Sequence, residues 1–171
     1  MRLLVAAIVL IGGFMGCSKP SAEELYNKGT DAQKADNYEA AIASYQELIK
    51  TYPDSARTPE AVYAIGVIYQ NHMHLFHQAI QSFRSLVEKY PDHATAANAS
   101  FLIGFIYNNE LKNNDSARIA YEDFLRRYPT NPLVPSVRFE LSNIGKDPAE
   151  ILKAQTQMAQ EETQSAKKVK K

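Results

Sequence analysis

The sequence is short of most things that would let it do covalent chemistry or staple itself together. Cysteine occurs once, at Cys17, so no internal disulfide can form. Charge of one sign is not in excess, since 19 Lys and Arg balance 19 Asp and Glu. Without a cationic surplus, nucleic acid is a poor candidate partner, because affinity for a phosphate backbone rests on that surplus. No apolar run is long enough to span a bilayer: the longest, Leu3 to Met15, would rise roughly 20 Å as a helix against a hydrocarbon core of about 30 Å. There is no G-x-S-x-G, no H-E-x-x-H and no phosphate-cradling glycine loop. The expectation is a non-enzymatic protein with no cofactor and no resident metal.

What is present begins with a targeting segment. Arg2, the apolar run and the small residues at Gly16-Cys17 read as a signal peptide over residues 1–16. Phe14-Met15-Gly16-Cys17 resembles the lipobox of bacterial lipoproteins, with Phe14 where leucine is usual. That resemblance implies that Cys17 is acylated and becomes the mature first residue, and that residues 17–20 form a short linker. Ser18, rather than aspartate, follows the cysteine, and by the same resemblance implies an outer-membrane lipoprotein facing the periplasm. Acyl chains stabilise membrane association by about 0.8 kcal/mol per buried methylene, so several on one cysteine would hold a soluble domain at a membrane surface. The alternative is an ordinary secretory signal cut nearby.

The rest of the chain repeats itself. AIASYQELIKTYPD from Ala41, AIQSFRSLVEKYPD from Ala79 and ARIAYEDFLRRYPT from Ala117 each follow the last by 38 residues and each contain Tyr-Pro. Before every copy lies a second helical pattern carrying a glycine, at Gly29, Gly66 and Gly104. Each unit therefore reads as helix, turn, helix and proline stop. A glycine inside a helix costs about 1 kcal/mol relative to alanine. We expect it where the second helix crosses too closely for a side chain, with Ala41, Ala79 and Ala117 as small counterparts and Tyr45, Phe83 and Tyr121 filling the space one turn on. In the second unit Val62, Ile65, Gly66, Tyr69, Ala79, Phe83 and Pro91 resemble the tetratricopeptide repeat. Ile103, Gly104, Tyr107, Ala117, Tyr121 and Pro129 do so in the third, and the first unit is looser, with Lys28 and Ala32 at its apolar and aromatic positions. The expected fold is all-α, a superhelical solenoid of three full repeats over residues 21–145.

Leu133 to Ile144 reads as a fourth first-type helix with Ser142 in place of the glycine and no second helix in register. Gly145 stops it, and Asp147-Pro148 starts a helix to about residue 160. The sequence predicts that this helix, residues 146–160, caps the open end of the stack. Residues 161–171 are expected to form a disordered polar and basic tail.

In tetratricopeptide proteins the first helices line a groove for a peptide or a partner's helix. Mapped from each glycine, the resemblance places Tyr26, Thr30, Gln33 and Lys34 there, then Tyr63, Val67, Gln70 and Asn71, then Phe101, Phe105, Asn108 and Asn109. Tyr26, Tyr63, Phe101 and Phe139 make a ladder of aromatics spaced 37, 38 and 38 residues. The ladder faces either the groove or the core between repeats. His72, His74 and His77 crowd one turn and offer a weak alternative, a metal or small-ligand sensor. Together the acylated cysteine and these repeats resemble the envelope lipoproteins related to BamD (YfiO), scaffolds of outer-membrane β-barrel assembly. They are also similar to the repeat region of the periplasmic protein of the Tol-Pal system. The function so implied is that of an adaptor whose groove holds envelope proteins or peptide segments and whose membrane attachment is the lipid on Cys17. A structural subunit that self-associates through its open end is a further possibility, and the oligomeric state is unassigned.

Overall fold

At the start of the repeats the side chain and backbone of Ser21 and Glu24 cap one another. The Glu24 N–H donates to Ser21 Oγ at 3.2 Å and the Ser21 N–H donates to a Glu24 carboxylate oxygen at 2.7 Å. The structure is a computed structural model and describes residues 19–169. The expected signal peptide and Cys17 lie outside the described residues. The helices are α1 (Ala22–Lys34), α2 (Tyr38–Thr51), α3 (Arg57–Asn71), α4 (Phe76–Lys89), α5 (Ala96–Phe105), α6 (Asn114–Arg127), α7 (Val134–Asn143) and α8 (Pro148–Val169). A π-helical turn, Ile106–Glu110, prolongs α5.

From α1 to α7 each helix packs on the next in order, which is the nearest-neighbour contact pattern of a tetratricopeptide solenoid. Three buried clusters follow one another along it. Leu25, Tyr45, Leu48 and Ile68 anchor the first, Phe83, Leu86, Ile103 and Ile106 the second, and Tyr121, Phe124 and Val137 the third. Fully burying a side chain such as Phe83 stabilises by roughly 1.5–3 kcal/mol, so one cluster per junction is enough to fix each unit on its neighbour.

The backbone repeats as faithfully as the side chains. Asp36, His74 and Lys112 adopt left-handed φ of 55°, 54° and 50°, and each stands one residue before the N-cap of a second helix. Asn37 and Asn113 cap α2 and α6 through their side chains, whereas Leu75 leaves α4 without such a cap. The extra residue of the second unit lies in the turn 72–75, while that of the third is absorbed into the first helix as the π-helical turn.

Two expectations are corrected. The close counterparts of the glycines are not Ala41, Ala79 and Ala117 but the large rings four residues on. A Cβ on Gly29 would lie 2.5 Å from the Tyr45 ring and one on Gly66 2.5 Å from Phe83, with Gly104 against Tyr121 in the same way. The gap is there to admit the large ring itself, which is why aromatic residues keep that position. The second correction concerns the C-terminus. Helix α8 does not stop near residue 160 but runs to Val169, and among the described residues it shares no extended interface with α6 or α7. Leu152 and Met158 are 65% and 56% exposed, so α8 is not a packed cap. The segment is rich in good helix formers and carries Lys167 and Lys168 at its C-terminal end, where the helix dipole favours cations. Low hydrophobicity keeps it off the core without preventing the helix.

The Tyr-Pro pairs do more than stop a helix. Tyr90 Oη donates to the Pro53 carbonyl at 3.2 Å and Tyr128 Oη to the Pro91 carbonyl at 3.3 Å. Tyr52 makes the corresponding bond to Pro20 at 2.8 Å. Tyr90 and Tyr128 thus tie their units to the proline one repeat back, and Tyr52 ties the first unit to the proline that precedes it.

Candidate functional site

The glycine register places one aromatic of the first helix over each large ring of the second. Tyr26 lies 5.6 Å from Tyr45, Tyr63 5.7 Å from Phe83 and Phe101 6.0 Å from Tyr121, all in tilted pairs. The ladder therefore packs on the core without being enclosed by it. Each ring rests one face on the inter-repeat core and remains half-buried rather than enclosed. Burial raises the phenol pKa of Tyr26 and of Tyr63. Phe139 is the exception at 43% exposed, because α7 has no second helix to supply a ring beneath it.

Tyr26, Thr30, Gln33 and Lys34 line a recess of about 420 Å3 together with Asp36, Tyr38, Tyr45, Ala64 and His72. Its polar groups are partly engaged with one another. Thr30 Oγ1 donates to the Tyr26 carbonyl at 3.0 Å and lies 3.2 Å from Tyr45 Oη, which donates to Gln33 Oε1 at 3.3 Å. The Arg57 guanidinium sits 4.7 Å from the Tyr26 ring centre and bonds Glu23 at 2.7 Å and Glu60 at 2.5 Å. This cation clamps α1 to α3 and holds the Glu23 carboxyl below its ordinary value.

Farther along, Val67 and Gln70 are half-buried and Asn71 is exposed. Phe101 and Phe105 lie 6.2 Å apart on one face of α5. The Asn109 side chain is turned back on its own helix, where Nδ2 donates to the Phe105 carbonyl at 3.2 Å. Burial raises the pKa of Glu140 on α7, an effect the Asn108 amide partly offsets. Glu140 was not among the residues expected here, although its sequence position, two before Ser142, matches that of Ala64, two before Gly66.

The histidines do not assemble. His72 stacks on Tyr38 at 4.2 Å and His74 tilts against Phe76 at 5.9 Å, while His77 is exposed on α4. Among the described residues no group of three His, Cys, Asp or Glu is placed to hold a metal. The metal alternative thus has no geometry behind it.

Sequence reasoning also missed a cavity of about 620 Å3 on the side of the second helices, between α4 and α6. Val87, Ile103 and Ile119 form its apolar part, and Arg84, Arg126 and Glu88 stand on its rim. Ile119, apolar yet 67% exposed, marks it in the structure.

No curated protein matches the chain. Residues 98–131 match the tetratricopeptide repeat. Residues 18–114 match the family model YfiO, described as outer membrane lipoprotein, and that span contains every expected groove residue except Phe139. With more than half of its length matched and a tetratricopeptide solenoid in place, the chain belongs to the YfiO family of outer membrane lipoproteins.

Proposed function

We propose that this protein is a non-enzymatic adaptor of the cell envelope, held at the outer membrane by an acylated Cys17 and facing the periplasm. Its first helices take up an extended segment of an envelope protein, in the service of outer-membrane β-barrel assembly. The observation that carries this reading is the family match, which spans α1, α3 and α5 together. Along those helices half-buried aromatics recur at the repeat period, and rings of that kind supply large contact area at small entropic cost. The side-chain amides of Gln70 and Asn71 make no hydrogen bond among the described residues and are free to pair with a bound backbone.

The test is in-cell crosslinking from positions beside Tyr63 and Phe101, with the captured protein identified by mass spectrometry. Recovery of a barrel-assembly component supports the reading, whereas recovery of peptidoglycan-linked or Tol-Pal components moves the role to envelope integrity. The double substitution Tyr63→Ala with Phe101→Ala should retain the helical circular-dichroism spectrum and lose capture. Undiminished capture would place the site elsewhere on the surface.

A further inference from the structure

The chain enters the repeats under restraint. Tyr52 Oη donates to the Pro20 carbonyl at 2.8 Å. Tyr52 is itself held, its own carbonyl accepting from the Ser55 N–H at 3.1 Å and from the buried Thr58 hydroxyl at 2.6 Å. One residue past Pro20 the Ser21 and Glu24 capping box fixes the start of α1, and Arg57 bonds Glu23 at 2.7 Å. Lys19 and Ser21 therefore share one recess of about 540 Å3 with Thr51, Pro53, Asp54 and Ser55, at the first end of the Tyr-Pro edge.

Only Ser18 and Lys19 separate Cys17 from that fixed proline. Three residues of chain span at most about 11 Å, so whatever holds Cys17 at a membrane holds Pro20 within that reach of it. Thr51 and Asp54 are exposed and polar, which suits the hydrated headgroup layer and not the hydrocarbon beneath. Lys19 and Lys50 stand against Glu24 and Asp54 in this region, so no excess of cations asks for anionic lipid.

Resting on the reading of Cys17 as the acylated anchor, we propose that the turn 51–55 and the start of α1 form the surface that lies on the membrane, with Tyr52 aiming the lipid tether across the turn. The partner is the phospholipid headgroup layer. Contact follows from the shortness and direction of the tether, not from charge. Helix α1 then leads away from the bilayer, and its 13 residues put Gln33 and Lys34 about 20 Å out, where a partner's segment reaches them from the periplasm.

The test uses the full acylated chain in phosphatidylcholine vesicles that contain lipid spin-labelled on its headgroup. A bimane fluorophore is placed at Asp54→Cys or at Ala35→Cys, both exposed and at opposite ends of the first unit, while the thioether leaves Cys17 no thiol to label. Bimane at 54 should be quenched at least about fivefold more than at 35, since contact quenching does not reach across a helix about 20 Å long. Tyr52→Phe should keep the helical circular-dichroism spectrum and lower the quenching at 54 by roughly half, because the linker then leaves α1 without a set direction. Inserting about 12 Gly and Ser residues between Lys19 and Pro20 should abolish the difference between the two sites, since such a linker spans about 20 Å. Equal quenching at 54 and 35 in chains that float with the vesicles overturns the membrane surface and leaves the anchor in place. Quenching at 54 that survives both Tyr52→Phe and the insertion overturns the tether as its cause. Chains that fail to float overturn the anchor reading and this surface with it.

Discussion

Three positions in each unit, a glycine, a large ring four residues into the second helix's repeat, and an aromatic of the first helix, form one contact. Without a Cβ the glycine lets the ring lie on the helix backbone, and the first-helix aromatic covers the ring's other side. Tyr45 and Tyr121 occupy equivalent places but differ in the fate of their hydroxyls. Replacing each by phenylalanine should therefore move stability in opposite directions. Tyr45→Phe discards bonds and should lower unfolding free energy by about 1 kcal/mol, while Tyr121→Phe removes an unpartnered group and should raise it by about 1 kcal/mol. Urea denaturation of the two variants beside the parent decides it, and a loss in both would mean that the Tyr121 hydroxyl has a partner after all.

Among elements, the junctions are tied in two ways that the helical pattern does not display. The tyrosine-to-proline bonds run along one edge, and the Glu23–Arg57–Glu60 bridge joins α1 to α3. The Glu23 pKa is depressed by Arg57, so its contribution is present above the ordinary carboxylate value and is lost as pH falls through the lowered one. Arg57→Met should accordingly lower Tm near pH 7, and the gap from the parent should close by about pH 3. The group is exposed, so added salt should narrow the gap as well. A gap independent of pH would assign Arg57 a packing role over Tyr26 instead. Helix α8 bears on the same scale. Because it lacks an extended interface, a chain ending at Lys146 should unfold within about 0.5 kcal/mol of the full one. A larger loss in denaturant would restore α8 to the role of cap.

At the scale of the whole molecule the three core clusters lie in series, and non-sequential helix contact is confined to the pairs beside each junction. Stability in such an array is a sum of unit and neighbour terms, so damage stays local. Gly104→Ala forces a methyl into the Tyr121 ring. Hydrogen exchange should then speed up in α5, α6 and α7 while α1 and α2 keep their protection. Uniform acceleration would instead reveal a single cooperative unit.

Much of this could be read before any coordinates, and for a definite reason. The 38-residue period, the helix pairs and the glycine sites follow from local pattern, since apolar spacing and proline stops act over a few residues. The same pattern brought Tyr26, Thr30, Gln33 and Lys34 to one recess. It could not show that Tyr45, rather than Ala41, fills the gap at Gly29, because either fits a close crossing and only the measured approach separates them. Nor could it foresee that burial raises the Glu140 carboxyl, because that depends on α7 packing on the unit before it. Periodicity within the chain determined the fold and the register of the residues along the first helices. Which hydroxyl is left alone and how far α8 engages the stack were decided by tertiary packing, because each depends on groups distant in sequence meeting in space.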